Sequence, residues 1–201
     1  MEGNWGRQGK KSPYLLLTPY CLLLTYQCGS DFPVANQGGT LEIQKVTVEH
    51  IDGVNMICGY THFIKSAEDL YEALVNAHSN IKFGIAFCEA SQECLVRYEG
   101  NDQELTDLAK EYAFKIGAGH FFIIFLKNAF PINVLDRIKA CPEVVRILCA
   151  TANPAEILLV EDDQGKGVIG VIDGYASKGI EDEKARRVRY EFLRKIGYKL
   201  S

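Results

Sequence analysis

Two histidines sit in similar settings. His62 lies in Gly59-Tyr60-Thr61-His62-Phe63 and His120 in Gly117-Ala118-Gly119-His120-Phe121. An imidazole can act as a general base or carry a phosphoryl group on nitrogen. It can equally be a satisfied core residue, and its neighbours in sequence leave both readings open. Glu89, with Ser91 two residues on, ends the apolar run IAFCEA. A carboxylate there suits ribose hydroxyls or a metal ion. Asn101 and Asp102 follow Glu99-Gly100 and either cap a helix or supply ligands to Mg²⁺ or to a hydroxyl nucleophile. Asp173 is a second carboxylate suited to that role. Thr151 and Asn153 close the run RILCAT and carry the hydroxyl and amide that read a purine edge or a ribose; the competing reading is a turn ahead of Pro154. Asn133 follows Pro131 at a helix start, where free amides favour anions. His50 and His78 stand in turn-like surroundings and read as surface.

Gly165-Lys166-Gly167-Val168-Ile169-Gly170 matches G-x-G-x-x-G by letter. A dinucleotide fold needs a helix straight after it, whereas Val171-Ile172 continues as strand. What remains is a glycine-rich hairpin that a ligand can approach closely, with Lys166 available to phosphate, or a plain tight turn. The chain contains no G-x-x-x-x-G-K-[ST], no nucleophile elbow and no H-E-x-x-H.

The elements that must position these residues alternate along the chain from Leu41. Strands are expected at Leu41–Val48, Asn55–Phe63, Lys82–Glu89, Cys94–Tyr98, His120–Leu126, Val144–Ala150, Ala155–Glu161 and Val168–Ile172. Helices are expected after Ser66 as N-cap, after Asn101 or Asp102 up to Gly117, from Pro131 to before Pro142, and over Glu181–Ile196. The GYTHF and GAGHF segments, and IAFCEA and RILCAT, echo each other. The fold expected is therefore α/β: a single domain with a mixed sheet, built from two β-α-β-β-α halves plus an extra glycine-rich hairpin, with His62 and His120 in equivalent positions.

A chain of 201 residues is long enough for one such domain with a tail. The formal net charge of -4 leaves no basic excess to neutralise a phosphate backbone, which argues against nucleic-acid binding. The seven cysteines form no C-x-x-C pair or zinc spacing. They read as reduced core thiols, and hence as a cytoplasmic protein. Residues 1–39 differ from the rest: basic residues precede an apolar run from Tyr14 to Tyr26 that resembles a signal peptide and is too short to span a membrane. The thiols argue against export, so the segment reads as an extraneous extension and the domain as residues 40–201.

Taken in order, KFGIAFCEAS, LVRYEGND, AGHFFIIF, FPINVLDRIK, PEVVRILCATANPAEI, GKGVIGVIDG and LRKIGYKL resemble the adenosine-specific kinase family over about Leu41 to Leu200. The resemblance implies binding of adenosine or AMP, a phosphoryl-transfer activity and a phosphorylatable histidine; His62 and His120 both fall inside family-like segments. The expected machinery is Asp102 or Asp173 positioning the 5′-hydroxyl and Mg²⁺, the hairpin of Gly165, Lys166, Gly167 and Gly170 holding phosphate, and His120 as base or carrier. Mg²⁺ would enter with the nucleotide, with no redox cofactor. The alternative is a non-catalytic adenosine or AMP binder. Gln92 and Lys166 depart from the family pattern, where glycine and arginine are expected; lysine keeps the charge and loses the bidentate fork. A homo-oligomer is expected on general grounds for a domain of this size.

Overall fold

The computed structural model describes residues 41–200. The extension 1–39 and its signal-like run lie outside the described residues. The elements in order are β1 (Glu42–Val48), β2 (Asn55–Thr61), α1 (Ser66–Val75), β3 (Lys82–Cys88), β4 (Val96–Gly100), α2 (Gln103–Ile116), β5 (Phe121–Lys127), α3 (Pro131–Ala140), β6 (Val144–Thr151), β7 (Ala155–Glu161), β8 (Lys166–Asp173) and α4 (Glu183–Lys195). The strands divide between two sheets, one in the order β4-β3-β5-β2-β6 and one in the order β1-β7-β8. Every ladder between named strands is antiparallel. A single parallel bridge, Ala118 to Lys166, links the two sheets.

Side-chain alternation explains the layers. On β2, β3 and β5, Met56, Cys58, Ala86, Cys88, Phe121, Ile123 and Phe125 point to one face and pack with α2 and β7. Ile57, Phe83, Ile85, Phe87, Phe122, Ile124 and Leu126 point to the other and pack with α1 and α3. The five-stranded sheet is thus covered on both faces, and this is why KFGIAFC and FFIIFLK read as continuous apolar runs. Such runs usually mark parallel sheets; here an antiparallel sheet carries helices on one side and a helix plus a second sheet on the other.

The inner strand order, β3-β5-β2-β6, maps onto itself when β2 exchanges with β5 and β3 with β6. The echo stops there. β4 lies beside β3, but β7, its counterpart by sequence, leaves the sheet to pair with β1 and β8.

Helix ends follow local chemistry. Asp102 accepts the Leu105 amide at 3.2 Å and starts α2, and Gly117, with φ 59°, ends it. Pro131 opens α3, and the Asn133 side chain accepts the Phe130 amide at 2.8 Å. Asp182 starts α4 by accepting the Ala185 amide at 2.7 Å. Ser66 does not cap α1. The N-cap position falls on Lys65, and the buried Ser66 hydroxyl bonds Thr61 Oγ1 at 2.6 Å and the Phe63 carbonyl. Its hydroxyl is drawn back to the end of β2, away from the helix amides.

The seating of α2 depends on two glycines. Gly84 and Gly100 face each other across β3 and β4. A Cβ on Gly84 would lie 2.2 Å from Leu105 C and Thr106 N, and one on Gly100 would lie 2.2 Å from Thr106 Oγ1. The first turn of α2 therefore rests in a notch that no side chain can share.

Candidate functional site

The register gives the five-stranded sheet two distinct ends. Tyr60 pairs with Phe121 and Phe87 with Phe122 at one end; Asn55 pairs with Leu126 and Lys82 with Lys127 at the other. Seven residues of strand separate them, about 20 Å. His62, Glu89 and His120 belong to the first end. Asn101, Asp102, Asn133, Thr151 and Asn153 belong to the second.

At the first end four chain segments meet through backbone hydrogen bonds. His120 N donates to Cys88 O at 2.8 Å, Thr61 N to His120 O at 2.9 Å, and His62 N to Glu143 O at 2.8 Å. His120 sits in the left-handed region, φ 64°, where residues other than glycine are uncommon. Both its amide and its carbonyl are committed to neighbouring strands, and those bonds hold the strained conformation. Its ring stacks on buried Phe87, centroids 6.0 Å apart, and meets the His62 ring edge-on at 5.8 Å. The two histidines chosen from sequence are neighbours in space.

Next to Gly119, the residue before His120, lies an open cavity of about 580 Å³ whose walls include Glu89, Ala90, Phe114, Gly119, Lys166 and Gly167; His120 itself is not in the lining. The end of β3 supplies Glu89. Its side chain is only 8% exposed, and its Oε2 accepts Arg97 Nη2 at 2.9 Å. The Leu95 amide reaches the same oxygen at 3.4 Å. Both bonds use Oε2. Gly119 is held close to the loop after β3, where a Cβ would lie 2.8 Å from Ala90 Cβ. The loop between β7 and β8 supplies the opposite wall. Asp162 Oδ1 accepts the Gln164 and Gly165 amides and shapes its tip. Lys166 Nζ lies 3.4 Å from Glu161 Oε2, and is the one lysine or arginine among the described lining residues.

Two thiols also line this cavity. Cys88 donates to the Ala113 carbonyl at 3.3 Å, and burial pushes its thiol up to about 12. Cys94 is exposed, in a left-handed turn with φ 51°.

The remaining candidates lie outside this cavity, and each makes contacts of its own. Asn101 splints the edge of the sheet, its Oδ1 accepting Phe83 N and its Nδ2 donating to Ile81 O, both at 2.9 Å. Asp102 and Asn133 serve helix starts, as described above. Thr151 Oγ1 donates to Asp173 Oδ1 at 2.7 Å, Asn153 Nδ2 donates to the same oxygen at 3.1 Å, and Asn153 N donates to Thr151 Oγ1 at 2.9 Å. Three residues picked separately from sequence thus form one knot. It closes the β6–β7 turn against the end of β8, opposite the end of that strand that holds Lys166. Ser91 lies exposed in the β3–β4 loop, where its carbonyl accepts the Cys94 amide. Gly170 pairs with Leu158 midway along β8, away from the hairpin tip.

The expected single constellation of His120, Lys166, Asp102 and Asp173 is therefore divided. Lys166 is in the cavity wall, His120 lies at the same end but outside the lining, and Asp102 and Asp173 lie at the far end. Sequence reasoning missed Arg97 and Phe114. Arg97 gave a weak signal, being in the family-like segment LVRYEGND. Phe114 gave a stronger one: it falls off the apolar stripe of α2 and is 79% exposed. Among the described residues no group of three or more His, Cys, Asp or Glu side chains is arranged to hold a metal ion. None of the described helices is long and apolar enough to cross a membrane.

A family model described as adenosine specific kinase matches residues 46–199. The chain is similar to the crystal structure of the PH1918 protein from Pyrococcus horikoshii OT3, with 45% identity and a TM-score of 0.77; the match covers 81% of this chain and 100% of that one. No curated protein matches it.

Proposed function

The chain belongs to the adenosine specific kinase family, and from that premise we propose that it binds adenosine or AMP in the cavity beside His120 and transfers a phosphoryl group there. The observation that carries the reading is the cavity itself, about 580 Å³ with a buried, Arg97-held carboxylate on one wall and Lys166 on the other. That volume is within the usual range for small-molecule sites. Glu89 Oε1 takes the ribose hydroxyls. Phe114 offers an aromatic face to the base. Lys166 and the backbone around Gly165 and Gly167 receive phosphate.

His120 is stacked on Phe87 outside the cavity lining, so its ring has to turn toward the ligand to take either of two roles. As base it removes the proton of the 5′-hydroxyl while that oxygen attacks the donor's terminal phosphorus. As carrier its ring nitrogen forms an N–P bond as the donor's P–O bond breaks, and the phosphoryl group then passes to the 5′-oxygen. Either way the protein's contribution is mainly positioning and electrostatics. Mg²⁺ would come with the donor's phosphates, since the carboxylates first assigned to it, Asp102 and Asp173, lie away from the cavity. The five cysteines among the described residues are all free, which fits a reducing compartment such as the cytoplasm.

A second reading, a non-catalytic adenosine or AMP binder, is favoured by one observation. The single lysine of the lining already neighbours Glu161, which leaves little positive charge for a triphosphate. Calorimetric titration of the full chain with adenosine, AMP, ADP and ATP, each with Mg²⁺, separates the two. Binding of ATP together with formation of ADP and AMP from adenosine supports the kinase. Binding of adenosine or AMP with no ATP consumption supports the binder. Silence from all four rejects both.

A further inference from the structure

Two buried thiols face each other across the five-stranded sheet. Cys58 on β2 and Cys149 on β6 are direct register partners. Opposed residues of an antiparallel ladder have Cα atoms about 4.5–5.5 Å apart and side chains on one face. Both thiols do pack on one face of the sheet. A disulfide needs Cα atoms about 4.4–6.8 Å apart, so either kind of ladder pair meets the distance. The sulfurs are close enough that Cys149 adds to burial in holding the Cys58 thiol protonated. Among the described residues no other two cysteines are register partners.

Both thiols are free, and neither lines the cavity. Cys58 is 0% exposed and Cys149 7%. Burial raises both thiols, and exchange needs the thiolate, so the pair persists as a dithiol while the sheet is closed. The two strands are not held equally. β2 lies between β5 and β6, whereas β6 is the edge strand and pairs with β2 alone. β2 is buried almost throughout, and β6 carries exposed residues such as Val145. The ladder between them is also irregular just past Cys58, between Cys58 and Gly59. Regions with few buried contacts open locally at lower free energy than core strands. Opening of β6 bares Cys149 and leaves Cys58 seated between its neighbours.

We propose that Cys58 and Cys149 are a reversible redox pair that closes to a cross-strand disulfide when the chain meets an oxidising small-molecule disulfide. While β6 is open, Cys149 loses its proton to solvent and its thiolate attacks one sulfur of that disulfide. A mixed disulfide forms and one small thiolate leaves. As β6 settles back, Cys58 gives up its proton and attacks the Cys149 sulfur, expelling the second small thiolate. Two protein thiols are oxidised, and one small disulfide is reduced to two thiols. The new bond joins residues some ninety positions apart, a span over which a crosslink restricts the unfolded chain strongly. It also pins the strand that follows Glu143, whose carbonyl accepts the His62 amide, so oxidation stiffens the histidine end. The inference does not depend on adenosine binding, because its test reads covalent mass and not ligand.

The full chain is incubated natively with millimolar glutathione disulfide at mildly alkaline pH, then alkylated in urea and mapped by peptide mass. The expected product is lighter by two hydrogens, joins the Cys58 and Cys149 peptides, and is undone by dithiothreitol. Its β6 amides exchange with deuterium at least tenfold more slowly than in the reduced protein, while β3 and β5 amides do not change. In C58A, which keeps the edge cysteine, Cys149 stops at the glutathione adduct; in C149A, Cys58 stays unmodified. Cys58 and Cys149 both free for alkylation after the incubation overturns the proposal. So does a link that joins another pair in its place, or one that forms only when the chain is oxidised in urea.

Discussion

His120 carries two separable features, an imidazole and a left-handed backbone. For a residue with a Cβ that backbone costs roughly 1–2 kcal/mol. Replacing it with alanine removes the ring and keeps the strain. Asparagine tolerates positive φ and so isolates the ring. We expect H120N to bind adenosine within a few-fold of wild type and to lose phosphoryl transfer by at least a hundredfold, read by calorimetry and a coupled ATP assay. Equal turnover in H120N and wild type would remove the imidazole from the chemistry. H120G should melt higher than H120A, by the equivalent of about 1 kcal/mol, because glycine relieves the backbone.

The thiols give a second test at this scale. Burial raises Cys88 and Cys149 to about 12, and pushes Cys58 beyond them. A raised thiol pKa means less thiolate at a given pH. At pH 8, four units below, about one molecule in ten thousand carries the reactive anion. Among the cysteines of the described residues, Cys94 should therefore alkylate first with iodoacetamide, and Cys58, Cys88 and Cys149 only on unfolding. Peptide mass mapping before and after urea reads this. Adenosine in the cavity should slow the Cys94 reaction, since Cys94 lines the wall.

Element-scale predictions turn on helix α2. Asp102 caps it from the end of the sheet opposite His120. D102A should cost about 1 kcal/mol of stability in urea titration and leave adenosine affinity unchanged; a large loss of affinity with intact stability would return Asp102 to the site. The glycine notch is less forgiving. In G84A the new methyl meets the backbone of Leu105 and Thr106 at 2.2 Å, and backbone cannot swing aside as a flexible side chain does. Overpacking of this kind costs about 1–3 kcal/mol, occasionally more. Since α2 also carries Phe114 and ends at Gly117 in the cavity wall, G84A should lower both the melting temperature and adenosine affinity. The two losses in D102A and G84A differ because one variant frays the start of the helix and the other displaces all of it.

At the scale of the whole molecule, the homo-oligomer expected from sequence implies mass action, and α4, with none of its thirteen residues buried, is the element whose removal tests it. An assembly held by α4 binds the folded state and stabilises it more at higher protein concentration. The melting temperature of the full chain should rise between 1 and 100 µM, whereas a chain ending before Glu181 should melt at one temperature throughout. A truncated chain whose melting temperature still climbs with concentration would place the interface elsewhere. The surrounding architecture makes this test clean, because the two cores on either face of the five-stranded sheet include no residue of α4.

Much of this protein is set by local chemistry and could be read from the chain. KFGIAFC and FFIIFLK had to be buried strands, because no other element shelters seven such residues in a row at that length. Asp102, Gly117 and Pro131 had to bound helices, since capping depends on one side chain and its neighbouring amides. The matching segments marked His62 and His120 as equivalent in sequence and said nothing of their meeting in space. Tertiary structure alone decided the rest. Period-two burial says which face a strand residue takes and nothing about strand order or direction, so the split into two antiparallel sheets was not legible. Nor was the division of the candidate residues between two ends of one sheet, because a seven-residue strand carries its termini about 20 Å apart while leaving them close in sequence. Ser66 shows the same limit in miniature: its type and position fit a cap, but the Thr61 hydroxyl, brought near by the fold, took its hydrogen bond. The cavity walls come from the end of β3, the end of α2 and the β7–β8 loop, segments nearly eighty residues apart in the chain. Only packing could bring Glu89 and Lys166 to face one ligand.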